Sequence, residues 1–471
     1  MNKYTPYYIF KCIEQYFVYD TTTYRFYRID KNIALYLRLC LKYKRDIADR
    51  LWRSHATSYL PKEYIDDVST TISKLEALGL FDSPKHLYSN FKKNLNRELD
   101  SFSRYPLVGM ELCITNSCNL SCKYCFCKAG RDYAQTGNMS EEIAFKAIDL
   151  LLKNSKNKKK LNVAFFGGEP LMNYNLIYSV VKYAKHQSNI HNKIFSFSIT
   201  TNATLLNEEF VNFMIENNFN IMISADGPKQ YHNYQCPTKN NSGSYDKMFN
   251  GLSLLINKNF PIDIRTTVAS PGIELKTLIE WYNSLHALGQ FIIEPAKNYI
   301  DSPSEIDISE KQFCKKIICS NHELKNILDY MKKHNGNTPP YFPFYHAWQS
   351  INNPKYSQYY TCNAGINRCY VASDGTIYPC ALLAGKKDWN IGSVYNGIDH
   401  QKSLNMWKKY RLSVANNCQK CWAIGICRPS MPCDVIKNDG SFYKKHRFCK
   451  LIKKRIEQAS YLYYNYNNTD I

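Results

Sequence analysis

Between residues 106 and 300, apolar strand candidates alternate with amphipathic helix candidates, and few folds accommodate that order. The strand candidates are Leu107–Thr115, Leu161–Phe166, Phe195–Thr200, Ile221–Ser224, Ile262–Val268 and Phe291–Pro295. Helical spacing falls between them at Glu141–Leu152, Leu176–His186, Glu208–Asn217, Tyr245–Lys258 and Leu275–Leu288. Ser140 before Glu141 and Glu142 is a helix start, a capping hydroxyl followed by acids at the positive end of the dipole. Strands joined through crossover helices run parallel. Six such units predict an α/β fold with a partial (β/α)6 barrel rather than a closed eightfold one, with functional groups at the C-terminal strand ends.

A cysteine trio lies where such a site belongs. Directly after the first strand candidate, the run from Cys118 through Cys122 to Cys125 has C-x3-C-x2-C spacing, with Tyr124 before the last cysteine. Three close thiolates can hold one corner of a 4Fe–4S cluster, which normally takes four cysteines. The absent fourth local ligand leaves one iron open to an outside group. A zinc knuckle favours paired C-x2-C units with a downstream mate, so the x3 gap suits it poorly. Disulfides need an oxidising compartment, and residues 1–5 lead into a polar, aromatic stretch without a signal-peptide core. No window approaches the roughly 18 apolar residues of a membrane span. The expected setting is cytoplasmic, without a membrane partner.

The 471 residues suggest two or three domains, and 44% hydrophobic content is enough for packed cores. Eighteen cysteines in such a chain indicate metal or redox chemistry. The net charge of +21 admits nucleic acid, a membrane surface or an acidic polypeptide as partner, and charge alone does not choose. Residues 153–160 read as a solvated turn. Residues 1–105 hold aromatic strand-like runs at Tyr7–Phe10, Tyr16–Tyr19 and Tyr24–Tyr27, then helical spacing at Ile33–Tyr43 and Tyr64–Leu80, a small α+β module. Residues 301–345 show little patterning and read as a bridge. Residues 346–460 are cysteine-rich, with a hairpin expected around Asp374-Gly375. Residues 461–471 read as a frayed tail.

Phe165-Phe166-Gly167-Gly168-Glu169-Pro170 closes the second strand candidate, with two glycines that admit close approach and a carboxylate at the strand end. The trio and this motif together resemble the radical S-adenosylmethionine (radical SAM) superfamily. The resemblance implies that Cys118, Cys122 and Cys125 hold a 4Fe–4S cluster and that SAM binds its fourth iron. It further implies that Gly167, Gly168 and Glu169 lie against the SAM amino group and Tyr124 near adenine. Thr201 and Asn202 after the third strand, and Ser224 and Asp226 after the fourth, would face SAM's ribose and carboxylate. Arg265 on the fifth strand is a candidate partner for that carboxylate, equally readable as a surface ion pair.

The C-terminal cysteines resemble a SPASM domain, which in this superfamily carries two auxiliary 4Fe–4S clusters. By that likeness Cys362, Cys380 and Cys433, with Cys369 as candidate fourth, hold the first. Cys418, Cys421, Cys427 and Cys449 hold the second, although the Cys427–Cys433 gap is longer than the family's usual one. Two zinc sites are the alternative reading of eight thiols. The remaining cysteines, among them Cys12, Cys40, Cys113, Cys127, Cys236, Cys314 and Cys319, are expected to be structural.

SPASM-containing members mostly modify peptides and proteins. Sulfatase maturases, which make formylglycine, begin almost at the trio and usually carry Asp after the cysteine matching Cys380. This chain has about 105 residues before its motif and Ala381 at that place. It is more similar to maturases of ribosomally made peptides, many with an N-terminal winged-helix-like element that grips a leader by strand addition. Residues 138–140, 165–173 and 293–295 resemble the thioether-forming subgroup. An Arg usual after the Ser-x-Asp-Gly motif is replaced by Gln235 or Cys236. The resemblance implies a crosslink (thioether, C–C or C–O) in a precursor peptide made of leader and core. It also implies SAM and three 4Fe–4S clusters as cofactors, with a flavodoxin or ferredoxin as electron donor. No catalytic side chain beyond the SAM cluster is assignable. An RNA-modifying radical enzyme would account for the charge, but no RNA-binding module is recognisable, so nucleic acid is disfavoured as a partner.

Overall fold

The computed structural model describes residues 6–23, 25–80, 105–125, 137–269, 273–295, 318–352, 362, 364–418, 421–427 and 449–467. At the N-terminus three strands, β1 (Tyr7–Cys12), β2 (Gln15–Asp20) and β3 (Phe26–Ile29), form an antiparallel sheet in the order β1-β2-β3. Three helices follow: α1 (Lys31–Lys42), α2 (Arg45–Ala56) and α3 (Lys62–Ala77). Asp30 caps α1 by accepting from the Asn32 and Ile33 N–H groups, and Gly79 takes the left-handed conformation (φ 84°) just past α3. The sequence reading had two helices here. The additional one, α2, is mostly polar and buries only Ala48, Trp52 and Ala56, too thin a stripe for periodicity to show.

The main sheet has ten strands. Its parallel part runs β4 (Gly109–Thr115), β5 (Lys160–Gly167), β6 (Ile194–Thr201), β7 (Phe219–Ser224), β8 (Ile262–Val268) and β9 (Phe291–Pro295). The intervening helices are α4 (Glu141–Asn154), α5 (Tyr174–His191), α6 (Glu208–Glu216), α7 (Lys229–Gln235), α8 (Tyr245–Asn257) and α9 (Leu275–Ser284). The six parallel strands are those expected. The short helix α7, seven residues long, carries no period that a sequence could betray.

Alternation along each strand sends one set of side chains to the helices. Met110, Leu112 and Ile114, Val163 and Phe165, Phe197 and Ile199, Ile221 and Ile223, and Ile262 and Ile264 all join one core. Phe165, Phe197 and Phe219 form a ring stack inside it, with centroids 5.5 to 6.3 Å apart. The opposite parity carries Glu111, Cys113, Ser198, Thr200, Arg265, Thr267 and Glu294, none of which joins that core.

The chain then forms α10 (Asn321–Lys333) and α11 (Tyr345–Asn352) before β10 (Arg368–Val371), β11 (Thr376–Tyr378), β12 (Gly392–Ser393) and β13 (Gly397–Ile398). Strand β10 pairs in parallel with β4, so the cysteine-rich region extends the barrel sheet. The Asp374-Gly375 turn joins β10 to β11 as a hairpin, with Gly375 at φ 85°. Two expectations fail. The bridge contains α10, whose Ser320 and Glu323 make a reciprocal capping box. The expected tail is instead the end of α13 (Cys449–Asn467), which follows α12 (His400–Cys418). Helix α13 buries Leu451, Ile456, Ala459, Tyr461 and Leu462, and packs on β1 and β3. Aromatic packing holds it there: Tyr461 and Tyr464 meet Phe17 edge to face.

Candidate active site

The cysteine loop hangs from the end of β4 and is clamped on two sides. On one side, the Gly168 N–H donates to the Thr115 carbonyl and the Glu169 N–H to the Ser117 carbonyl, each at 2.8 Å. A Cβ on Gly167 would stand 2.2 Å from the Thr115 oxygen, and one on Gly168 would stand 2.2 Å from the Ser117 oxygen. Gly167 also sits at φ 142°. The glycines are therefore required by the chain's own backbone: what approaches them so closely is the cysteine loop.

Glu169 continues this clamp. Its buried carboxylate accepts from the Thr201 hydroxyl (2.7 Å), the Asn202 N–H (2.8 Å) and the Leu171 N–H (3.1 Å). Burial pushes it up to about 7 against the pull of those three donors. One carboxylate thus ties the ends of β5 and β6. Asn202 passes the order on, its Nδ2 donating to Asn119 Oδ1 at 2.9 Å and lying 3.9 Å from Cys118 Sγ. Burial also pushes the Cys118 thiol up to about 12, with Cys122, Glu169 and Cys125 near enough to add to it.

The second clamp is the segment after β7. The Ser121 N–H donates to the Pro237 carbonyl (2.8 Å) and the Lys123 N–H to the Gln235 carbonyl (2.9 Å). Tyr124 Oη lies 3.2 Å from Cys236 Sγ, which in turn lies 3.2 Å from Asp226 Oδ2. Asp226 also accepts from Gln235 Nε2 (3.0 Å) and the Thr267 N–H (2.9 Å), and burial raises it to about 6. Behind it, fully buried His232 accepts the Asp226 N–H at Nδ1 and meets Ser244 Oγ at Nε2, both at 3.1 Å. Asp226 is thus occupied by protein donors. Cys236, expected to be a buried structural thiol, is one: it belongs to the clamp together with Gln235. Ser224 is half-buried at the end of β7 beside Arg265, whose Nε is 3.8 Å from Glu294.

The C-terminal thiols divide into two cases. Cys418, Cys421, Cys427 and Cys449 come close enough for the other three to raise Cys427 electrostatically, beyond the larger effect of burial. Cys362 and Cys380 pack against a separate cluster built on Cys113, Tyr370 and Trp407. Cys369 does not join them: strand parity puts it with Val371 in the main core, opposite Tyr370. Cys433 lies outside the described residues, as do Cys127 and Cys314. Among the described residues, no three or more His, Cys, Asp or Glu side chains are preset as a metal site, and no helix is long and apolar enough to cross a membrane.

Residues 112–286 match the model of the radical SAM superfamily. The chain carries a radical SAM domain. Over 338 residues it is 25% identical to the radical SAM cyclopropyl synthase TigE of Paramaledivibacter caminithermalis, covering 68% of this chain and 67% of that one. Over 365 residues it is 25% identical to a cysteine-type anaerobic sulfatase-maturating enzyme of Clostridium novyi, covering 73% and 92%. It spans 57% of the length of a further relative, an uncharacterized Methanocaldococcus jannaschii protein, at 35% identity over 176 residues. The solved structure of anSMEcpe with bound AdoMet and Cp18Cys peptide shares the fold at a TM-score of 0.62 and 22% identity. That match takes in all of its chain and 78% of this one, leaving about a fifth of this chain over.

Proposed function

We propose that this radical SAM enzyme removes a hydrogen atom from a precursor peptide and installs an intramolecular crosslink in it. One observation carries the reading: β1–β3 and α1–α3 form a folded module ahead of the radical SAM domain, fastened to the cysteine-rich region. Tyr8 stacks on Trp422 at 3.9 Å, beside Cys421, and its hydroxyl donates to Glu457 at 2.9 Å. Gln15 and Asn465 exchange two side-chain hydrogen bonds of 3.0 Å. A small sheet whose β1 and β3 edges pair with no other strand among the described residues, held against the catalytic body, suits an extended leader that adds as a further strand while its core enters the barrel.

The donor set suits the cofactors the family implies. Cys118, Cys122 and Cys125 would hold the cluster that binds SAM, and Cys418, Cys421, Cys427 and Cys449 an auxiliary one. Cys362 and Cys380, with Cys433, would supply another, without Cys369. Bound and reduced at the first cluster, SAM supplies a 5′-deoxyadenosyl radical that takes a hydrogen atom from an unactivated C–H bond. The chain's part is placement: the two clamps fix the cysteine loop over the polar strand face, and Arg265 presents a guanidinium to a carboxylate. Gly167, Gly168, Glu169, Thr201, Asn202 and Asp226 would act on SAM through the loop they fix, with Tyr124 and Ser224 bordering it.

The test is incubation of the anaerobically reconstituted enzyme with the product of a small open reading frame beside its gene. A mass loss of two hydrogens per bond is expected, with 5′-deoxyadenosine formed alongside. An unchanged peptide mass counts against the reading. Formylglycine on a sulfatase-derived peptide would favour the maturase alternative, which the likeness to sulfatase-maturating enzymes keeps in view.

A further inference from the structure

Glu111 sits in the middle of β4, flanked by core residues, yet faces the other way. Met110 and Leu112 point into the helix-covered core, so Glu111 shares the opposite face with Cys113. It makes no hydrogen bond or ion pair among the described residues. It is half-buried, and neither carboxylate oxygen is sealed from the space beside it. On β5 its partner is Ala164, whose methyl cannot fill that space; on β10 its partner is Tyr370. Arg265 and Arg368 are the charges it feels. Arg368 lies over Gly109 on the neighbouring strand. Arg265 is on β8, with β5, β6 and β7 between, so it reaches Glu111 only across the concave face of the sheet.

A desolvated carboxylate without a partner costs stability, and nothing in the packing requires an acid at this position. Four residues separate it from Thr115 at the strand end, on the order of 13 Å. The carboxylate and the cysteine loop are thus borne by one strand, at different heights along it. Its surroundings also tune it. Burial raises the carboxyl to about 7, while Arg265 and Arg368 pull the other way. Of the other titratable groups on this face, Glu294 is engaged by Arg265 and Asp263 by the Gln290 N–H (3.0 Å), and burial pushes the Cys113 thiol up to about 11.

We propose that Glu111 is the proton acceptor of the crosslinking step, a role that rests on the function proposed above. The balance is simple. One hydrogen atom leaves a substrate carbon for the 5′-deoxyadenosyl carbon. The attacking X–H group gives its proton to Glu111, the C–X bond forms, and the remaining electron passes to an oxidised auxiliary iron–sulfur cluster. The substrate loses two hydrogens in all, and SAM and that cluster are the oxidants. A base tuned near neutrality is the most effective one at neutral pH.

Glu111→Gln and Glu111→Asp in the cluster-loaded enzyme, with its precursor peptide, test this. In Glu111→Gln, 5′-deoxyadenosine formation should continue while crosslinked product falls roughly 10²-fold or more. The limb of the product–pH profile near pH 7 should vanish, and Glu111→Asp should restore part of the product. Apart from turnover, infrared difference spectra of the cluster-loaded, SAM-free protein should show a carboxylic acid that titrates near neutrality and is missing in Glu111→Gln. Unchanged crosslinking, a missing titrating band, or parallel loss of SAM cleavage and peptide binding would each overturn the role. A wild type that cleaves SAM yet leaves the peptide mass unchanged removes the crosslinking function itself, and this role with it.

Discussion

The two cysteine-bearing ends of the molecule are built by opposite means. At the radical SAM loop, protein hydrogen bonds do the holding: Gly168 and Glu169 fasten one side, and Gln235, Cys236 and Asp226 the other. Around Cys418, Cys421, Cys427 and Cys449, the thiols are near enough to raise Cys427 electrostatically, and the Cys421 N–H donates to the Cys418 carbonyl at 2.8 Å. Thiols this near one another repel as they ionise, so the auxiliary cluster proposed above would supply much of the order there. The first site is shaped by the barrel before any cluster arrives; the second, on the proposed reading, would be shaped by its cluster.

Exchanging single cysteines should break the comparison most sharply. Cys118→Ala is expected to end 5′-deoxyadenosine formation while leaving the thermal transition nearly unchanged. Cys427→Ala should remove roughly four of about twelve irons and lower the melting temperature, with peptide-independent SAM cleavage surviving. Iron analysis, calorimetry and product chromatography read the two apart. Equal thermal losses in both variants would show that the barrel does not preform its loop.

The next effect down is steric. Gly168→Ala sets a methyl against the Ser117 carbonyl, where the separation would be 2.2 Å. The loop must move, at about 3 kcal/mol, and denaturant unfolding should show that loss together with weaker SAM binding. Stability held within error would mean that the loop is looser than its hydrogen bonds indicate.

Much of the first site was legible because it is local in sequence. The strand alternation, the cysteine spacing and the Gly-Gly-Glu turn each lie within a few residues, and the parallel sheet brings successive strand ends together. What escaped is non-local or depends on parity. Nothing in Arg368–Val371 reveals that the strand pairs with Gly109–Leu112, and a two-residue period cannot say which face is which. Cys369 was therefore grouped with Cys362 and Cys380, and Glu111 passed unnoticed, although an acid within Met110–Ile114 is itself a signal. The buried place of Cys236 is as expected, but its partners Tyr124 and Asp226 lie on other segments and the sequence does not join them. The Ser320/Glu323 capping box, by contrast, was readable and was missed. The tyrosines and asparagines of Tyr461–Asn467 imitate a loose tail in composition while packing as a helix face.

The clamp after β7 has a pH limit set by its buried histidine. Burial lowers His232 from 6.5 to about 4, so the folded state holds it neutral. A depressed folded value means the unfolded chain binds the extra proton first. The stabilisation is complete above about pH 6.5 and lost as pH falls toward 4. Between pH 7 and pH 5 that amounts to about 2 kcal/mol. His232→Gln should flatten the acid limb of the stability profile relative to wild type, and an identical slope in both would remove His232 as its source.

The smallest change tests whether the N-terminal module and the cysteine-rich region act as one body. Tyr8 meets Glu457 through its hydroxyl and Trp422 through its ring, and Lys454 also holds Glu457 at 2.9 Å. Tyr8→Phe removes one hydrogen bond to a carboxylate that keeps its lysine, a loss of about 1 kcal/mol. Tyr8→Ala removes the stack as well. If the module positions a peptide for the radical SAM site, Tyr8→Phe should leave leader affinity unchanged, as titration calorimetry would show. Tyr8→Ala should then lower crosslink yield per 5′-deoxyadenosine, because a leader gripped by a loosened module no longer delivers its core to a fixed place. Equal yields in the two variants would mean that the seam holds the module on without aiming it.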